Sequence, residues 1–186
     1  PPILIVMHGQ GRDGRAYRDA WRDQAERSGA IILAPQMGER SFPGARSYNQ
    51  GAVLDARGRA QPPERWSFNI VDQAFAQFVR APGSPQPPFP RYGPSAGAQF
   101  DHRYMLFMPA TRVERAVAAN AGWYTWPDES QAYPYGLQGA AVSQARLAGY
   151  LAEPMVLLLG EADTDRFDDN LSQTPAAERQ GPHPLA

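Results

Sequence analysis

Ser95 is the residue of this 186-residue chain whose neighbours would turn a side chain into a reagent. It lies in Gly93-Pro94-Ser95-Ala96-Gly97, which fits the G-x-S-x-G pattern of a sharp strand-to-helix elbow. At such an elbow the serine takes a strained backbone conformation and its hydroxyl stands clear of the sheet. Glycines flank it because a Cβ on either would strike the adjoining strand or helix. The amide of Ala96 then lies at a helix N terminus, where unpaired N–H groups and the helix dipole hold a developing oxyanion. The chemistry these residues point to is attack on an acyl carbon. Serine is a weak nucleophile at neutral pH, so the same chemistry calls for a base, usually histidine, oriented by a carboxylate.

Composition removes several competing chemistries. All eighteen basic residues are arginine, and there is neither lysine nor cysteine. Schiff-base and P-loop lysines, thiol nucleophiles, disulfides and thiolate metal sites are therefore excluded together. Three scattered histidines and unclustered acidic residues suggest no metal site, and serine hydrolysis needs no cofactor. A formal net charge of −1 with interspersed signs gives no reason to invoke nucleic acid or an anionic membrane. No stretch approaches the ~20 apolar residues that span a bilayer. Pro1-Pro2-Ile3 lacks the charged start of a signal peptide, and missing cysteine fits either side of a membrane, so the compartment stays open.

The elements that must position Ser95 follow from periodicity. Ile3–Met7 is a continuous apolar run closed by His8-Gly9, as expected of an interior parallel strand. Tyr17, Ala20, Trp21 and Ala25 predict one helix over 15–27, ended by Ser28-Gly29, and Ala30–Ala34 a second strand. Residues 36–65 lose periodicity and read as a long surface excursion, with Tyr48 and Asn49 able to shape a wall. Phe68, Val71, Phe75, Phe78 and Val79 mark a helix capped by Ser67 or Asn69. Phe89-Pro90-Arg91-Tyr92 is a poor strand by composition although the elbow needs a central one. Phe100, Tyr104, Phe107 and Met108 keep helical spacing to Pro109, and 115–122 is a small-residue strand. An aromatic segment over 122–138 holds Trp123, Tyr124 and Trp126, a candidate pocket wall on the side where open α/β sheets bind ligands. A helix over 139–151 leads to Met155–Leu159, which predicts a buried strand, closed by Gly160-Glu161-Ala162-Asp163-Thr164-Asp165. Neither a repeat nor an internal boundary interrupts residues 1–186, which read as one domain.

The strand ending His8-Gly9, the elbow at Ser95 with its following Gln99-Phe100, and the late strand ending Gly160-x-x-Asp163 resemble the α/β-hydrolase fold. The likeness is greatest to bacterial esterases and polyester depolymerases. It implies a mostly parallel sheet with helices on both faces and a serine carboxylester hydrolase acting on a small or polymeric ester. It also implies Asp163 as triad acid, with Asp165 as the alternative, and an oxyanion hole completed by the backbone of Gly9 or Gln10. Last, it implies strands upstream of Ile3 and a final strand and histidine loop past the end of this sequence, so the domain reads as truncated at both ends.

The histidines fit that expectation. His8 precedes the elbow at a strand end, where a structural hydrogen-bonding role is expected. His102 lies seven residues past Ser95 on the same helix, about 10 Å along the axis, out of reach of the serine. His183 has the right order after Asp163 but no strand before it, so the base is either His183 or a residue beyond 186. Two other readings remain open. One is a catalytically inactive hydrolase-like binding domain. The other is dinucleotide binding at Gly9-Gln10-Gly11-Arg12-Asp13-Gly14, which satisfies G-x-G-x-x-G but lacks the ribose-binding acid about twenty residues on.

Overall fold

The computed structural model describes residues 1–79, 88–109, 112–165, 168–169 and 171–181. Five strands, β1 (Ile3–Val6), β2 (Ile31–Leu33), β3 (Phe89–Pro94), β4 (Val113–Ala119) and β5 (Met155–Leu158), form one sheet in the order β2-β1-β3-β4-β5, every pair parallel. The connection from β1 runs outward to β2 on one side, and the chain then returns to build β3, β4 and β5 on the other. The topology therefore reverses between β1 and β3, and the crevice at their carboxyl ends is where such sheets bind ligands.

Alternation along β3 assigns the faces. Arg91 and Gly93 meet α5 (Ala96–Phe107), through Asp101 and Gly97 respectively. Tyr92 points the other way and packs edge-on against Trp21, ring centroids 5.1 Å apart. Trp21 joins α1 (Gly14–Ala20) to α2 (Arg22–Ser28), so the helix predicted as continuous over 15–27 is two, broken where Trp21 leaves helical geometry at ψ 1°. Gly29 ends α2 in the left-handed conformation, φ 65°. On the α5 face lie α4 (Asn69–Phe78) and the main core, in which Ile5, Met7, Phe68, Phe75, Phe89 and Phe100 are fully buried. Each of these side chains contributes about 1.5–3 kcal/mol by leaving water.

Several expectations need correcting. The proline-rich β3 is nonetheless central, because Pro90 sits at a register shift against β4, and pairing with β1 involves only Arg91 and Tyr92. The missing N–H thus falls where the ladder is already interrupted. Segment 36–65 is more than a surface excursion: it carries α3 (Gly44–Ser47) and a 3-10 turn at Pro63–Arg65, and it buries Met37, Tyr48 and Val53. Phe68, a core residue, occupies the α4 cap in place of Ser67 or Asn69, and Asn69 instead donates to the carbonyls of Pro63 and Trp66. β5 is an exposed edge, with Leu157 at 49% and Leu158 at 46% exposure, against the buried strand expected there. α6 (Gln144–Leu151) and the short α7 (Pro175–Glu178) complete the described elements. None of the described helices is long and apolar enough to cross a membrane.

Candidate active site

β3 ends in an abrupt turn at Ser95, whose φ of 54° and ψ of −120° lie far from anything an L residue prefers. What imposes this is the closeness of three backbones. A Cβ on Gly93 would run into the carbonyl of Gly97, and one on Gly97 would lie 2.8 Å from Met7 O and 2.9 Å from His8 O. The two glycines therefore let α5 start directly against the ends of β1 and β3. Ser95 N–H is held by Ala119 O at 2.9 Å, which fixes the elbow to β4, and the Ser95 side chain is exposed. The first amides of α5, Ala96 among them, have no intrahelical acceptor, and Ala96 lines the opening beside Ser95.

That opening is a cavity of about 1000 Å³, lined by Gln10, Ser95, Ala96, Asn120, Trp123 and Asp163 among others. It thus brings together five of the residues singled out by sequence: Gln10, Ser95, Ala96, Trp123 and Asp163. The other three are placed differently. Gly9 does not line the cavity but is buried beside Ser95, where a Cβ would lie 3.9 Å from Ser95 Cβ and 2.5 Å from the Tyr17 hydroxyl. Tyr124 does not line the cavity: its ring packs tilted against His102, centroids 5.3 Å apart, and its backbone exchanges two hydrogen bonds with the Gln180 carboxamide. Trp126 projects into solvent at 41% exposure. The wall is made instead by Trp123 and Tyr135, whose rings lie 4.3 Å apart.

Neither described histidine has a nitrogen to spare. His8 Nε2 accepts from Met37 N–H at 3.1 Å, which leaves Nδ1–H to donate to Gly9 O. His102 Nε2 accepts from Thr125 N–H at 3.0 Å, and its Nδ1–H donates to Ala98 O. Burial, the largest cause in both, lowers the pKa of His8 and pushes that of His102 well below its ordinary value, so both rings are neutral crosslinks. His183 lies outside the described residues.

The walls are tied to α5 by polar groups, of which Arg103, Thr125 and Asp101 have no role in the sequence reading. Gln99 donates to Trp123 O and accepts from the Asn49 carboxamide. Arg103, fully buried, donates to Thr125 Oγ1 and Asn49 O, both at 2.7 Å, and lies 4.3 Å from the Trp123 ring. With no carboxylate among these partners, burial lowers its pKa to about 10. On the sheet side Arg91 pairs with Asp101, both wholly buried, with the Arg91 guanidinium 3.8 Å from the Tyr104 ring. Burial raises Asp101 even against the pull of Arg91. Arg12 holds the other wall through the carbonyls of Met37, Phe42 and Gly44.

At the Gly9–Gly14 turn, Gly14 N–H is taken by Gln36 Oε1 and Ala16 N–H by Asp13 Oδ1. Two amides that a pyrophosphate would need are already occupied, one of them by an anion. Among the described residues no group of three or more His, Asp or Glu side chains converges as metal ligands would.

Solved structures similar to this chain include the following two. Poly(aspartic acid) hydrolase-1 from Sphingomonas sp. KT-1 matches with a TM-score of 0.94 and 46% sequence identity, over 99% of this chain and 70% of its own. The poly(3-hydroxybutyrate) depolymerase LpqC from Bordetella parapertussis matches with a TM-score of 0.91 and 37% identity, over 98% of this chain and 61% of its own. No protein-family model and no curated protein sequence matches the chain.

Proposed function

The chain belongs to the α/β-hydrolase family, and on that footing we propose that it is a serine hydrolase that cleaves carboxylic esters through an acyl-enzyme. The observation that carries the reading is the backbone of Ser95, a non-glycine residue at φ 54° with its side chain open to a large cavity. Strain of this kind is retained where it presents a reacting group, and no packing need accounts for an exposed serine there.

In the proposed reaction Ser95 Oγ attacks the ester carbonyl carbon as its proton passes to a histidine base other than His8 and His102. The oxygen that becomes negative is held by the Ala96 amide and by the backbone of the turn after β1, where Gln10 faces the cavity. Collapse expels the alcohol, which takes the proton, and water then repeats the sequence on the acyl-enzyme. Asp163 orients the base. The substrate class is taken from the similar structures: one is a hydrolase of poly(aspartic acid), the other a depolymerase of poly(3-hydroxybutyrate). The aromatic wall of Trp123 and Tyr135 offers rings against which the acyl or alcohol part of such a substrate can lie.

The test is fluorophosphonate labelling of the full-length protein followed by peptide mapping. The expected result is one labelled peptide, containing Ser95, and its loss in Ser95→Ala. Folded protein that takes no label, or a label indifferent to Ser95→Ala, would refute the serine mechanism. Release of monomer from 3-hydroxybutyrate oligomers and not from aspartate oligomers would settle ester over amide.

A further inference from the structure

We infer that Asn120 is a positioning residue that holds the Asp163 turn in place for catalysis, an inference resting on the reading of Ser95 and Asp163 as nucleophile and acid. Asn120 follows the last residue of β4 and lines the same cavity as both. Its φ of 49° is left-handed, a conformation that asparagine tolerates better than other non-glycine residues. In that conformation it bonds to β5 and its turn from two sides. Its N–H donates to Leu158 O at 2.8 Å, and its Oδ1 accepts from Gly160 N–H at 2.9 Å. Asp163 N–H in turn closes onto Gly160 O at 2.9 Å.

With Ser95 N–H on Ala119 O, these bonds make one continuous path from nucleophile to acid, running through Ala119, Asn120 and Gly160. The fit is close: a Cβ on Gly160 would lie 2.9 Å from Asn120 Nδ2 and 3.6 Å from Asp163 Cβ. Position 160 thus admits a carboxamide against it and little else. The path matters because it is the direct hydrogen-bonded link from the end of β4 to the turn that carries Asp163.

The experiment uses full-length protein with Asn120→Ala and Asn120→Gly, each made with Asp163 intact and with Asp163→Asn, assayed on p-nitrophenyl butyrate. Glycine keeps the left-handed backbone and removes the carboxamide, and it serves alone should the alanine variant fail to fold. Both substitutions are expected to lower kcat about 10- to 100-fold with KM within about twofold, as sub-ångström misplacement of a catalytic group does. The base also loses the full effect of its anion, so its pKa drops and the acidic limb of kcat/KM moves to lower pH. In the Asp163→Asn background the further loss should shrink to less than about twofold, because a residue acting only through Asp163 has nothing left to position. Asn120→Gly with wild-type kcat, or an equal loss in both backgrounds, would overturn the inference. Asp163→Asn with wild-type activity would instead locate the failure in the assignment of Asp163 as the acid.

Discussion

If the Ser95 backbone is strained for the sake of its hydroxyl, removing the Cβ should stabilise the protein while destroying its chemistry. An L residue at φ 54°, ψ −120° costs about 1–3 kcal/mol, which glycine does not incur. Ser95→Ala keeps the Cβ and so keeps the strain; Ser95→Gly releases it. Against the release stands the greater freedom of glycine in the unfolded chain, about 0.4–1 kcal/mol. The glycine variant should therefore be more stable than the alanine variant by about 1 kcal/mol, or about 2–4 °C in Tm for a protein of this size. The comparison is free of hydroxyl effects because neither variant has one. Urea unfolding followed by tryptophan fluorescence reads it directly, with an unchanged m-value required for the midpoints to be compared. Neither variant should take up fluorophosphonate. A glycine variant no more stable than the alanine variant would show that the elbow stores no strain, and the argument from backbone to function would fail with it.

Three further outcomes follow from the same contacts. Gly97→Ala would drive a Cβ to 2.8 Å from Met7 O and 2.9 Å from His8 O, backbone atoms with little room to give. It should cost about 1–3 kcal/mol in urea unfolding and slow labelling at Ser95 in the fraction still folded. Asp101→Asn leaves the Arg91 guanidinium buried without its anion, a loss of about 3–5 kcal/mol, and the joint replacement Arg91→Met with Asp101→Leu should recover most of it. His102 carries a pH dependence: its folded pKa is well below 6.5, so the unfolded chain binds a proton that the folded chain refuses. Its contribution to stability is complete above pH 6.5 and is lost as pH falls from there toward the folded pKa. Between pH 7 and pH 5 the Tm of the parent should drop further than that of His102→Gln, and equal slopes would contradict the assignment of a neutral crosslink.

The elbow was legible in the sequence because its physics is local. Three backbones meet within a few residues, only glycine fits at 93 and 97, and the pattern is written in five consecutive positions. Strands such as Ile3–Val6 and Ile31–Leu33 were legible for the same reason, since a short apolar run closed by glycine or proline marks a parallel strand, whereas the proline-broken β3 was a poor strand by composition. What could not be read is whatever depends on distant partners. The run Met155–Leu159 looks buried from its composition, but its exposure is decided by what lies beyond the edge of the sheet. Asn49 and Arg103 are 54 positions apart, and no spacing in either segment announces their bond. Of the rings Trp123, Tyr124 and Trp126 read as a pocket wall, only Trp123 lines the cavity, beside Tyr135 of the same segment, because which ring faces inward is fixed by partners such as Tyr135, His102 and Gln180 rather than by the ring itself. The left-handed backbone at Asn120 does have a sequence signal, an asparagine directly after a small-residue strand, and it was passed over.

α5 connects these failures to the function. Every one of its twelve residues is buried, so it has no solvated face, yet Gln99, Asp101, His102 and Arg103 are polar. An amphipathic reading has no place for four such groups within five consecutive residues of a core helix. Each bonds to a neighbouring element: Gln99 to Trp123 O, Asp101 Oδ1 to Arg91 of β3, His102 to Thr125 N–H, and Arg103 to Asn49 O and Thr125 Oγ1, with Asp101 Oδ2 left without a hydrogen-bond partner. Buried polar groups are costly unless paired, so these bonds set where the two walls can sit. Because the helix that starts at Ser95 also carries the anchors for Asn49 and Trp123, the walls are referenced to the proposed nucleophile rather than to the sheet. A loop held in that way keeps its distance to Ser95 when the outer strands shift, which is the condition an acyl-transfer site has to meet.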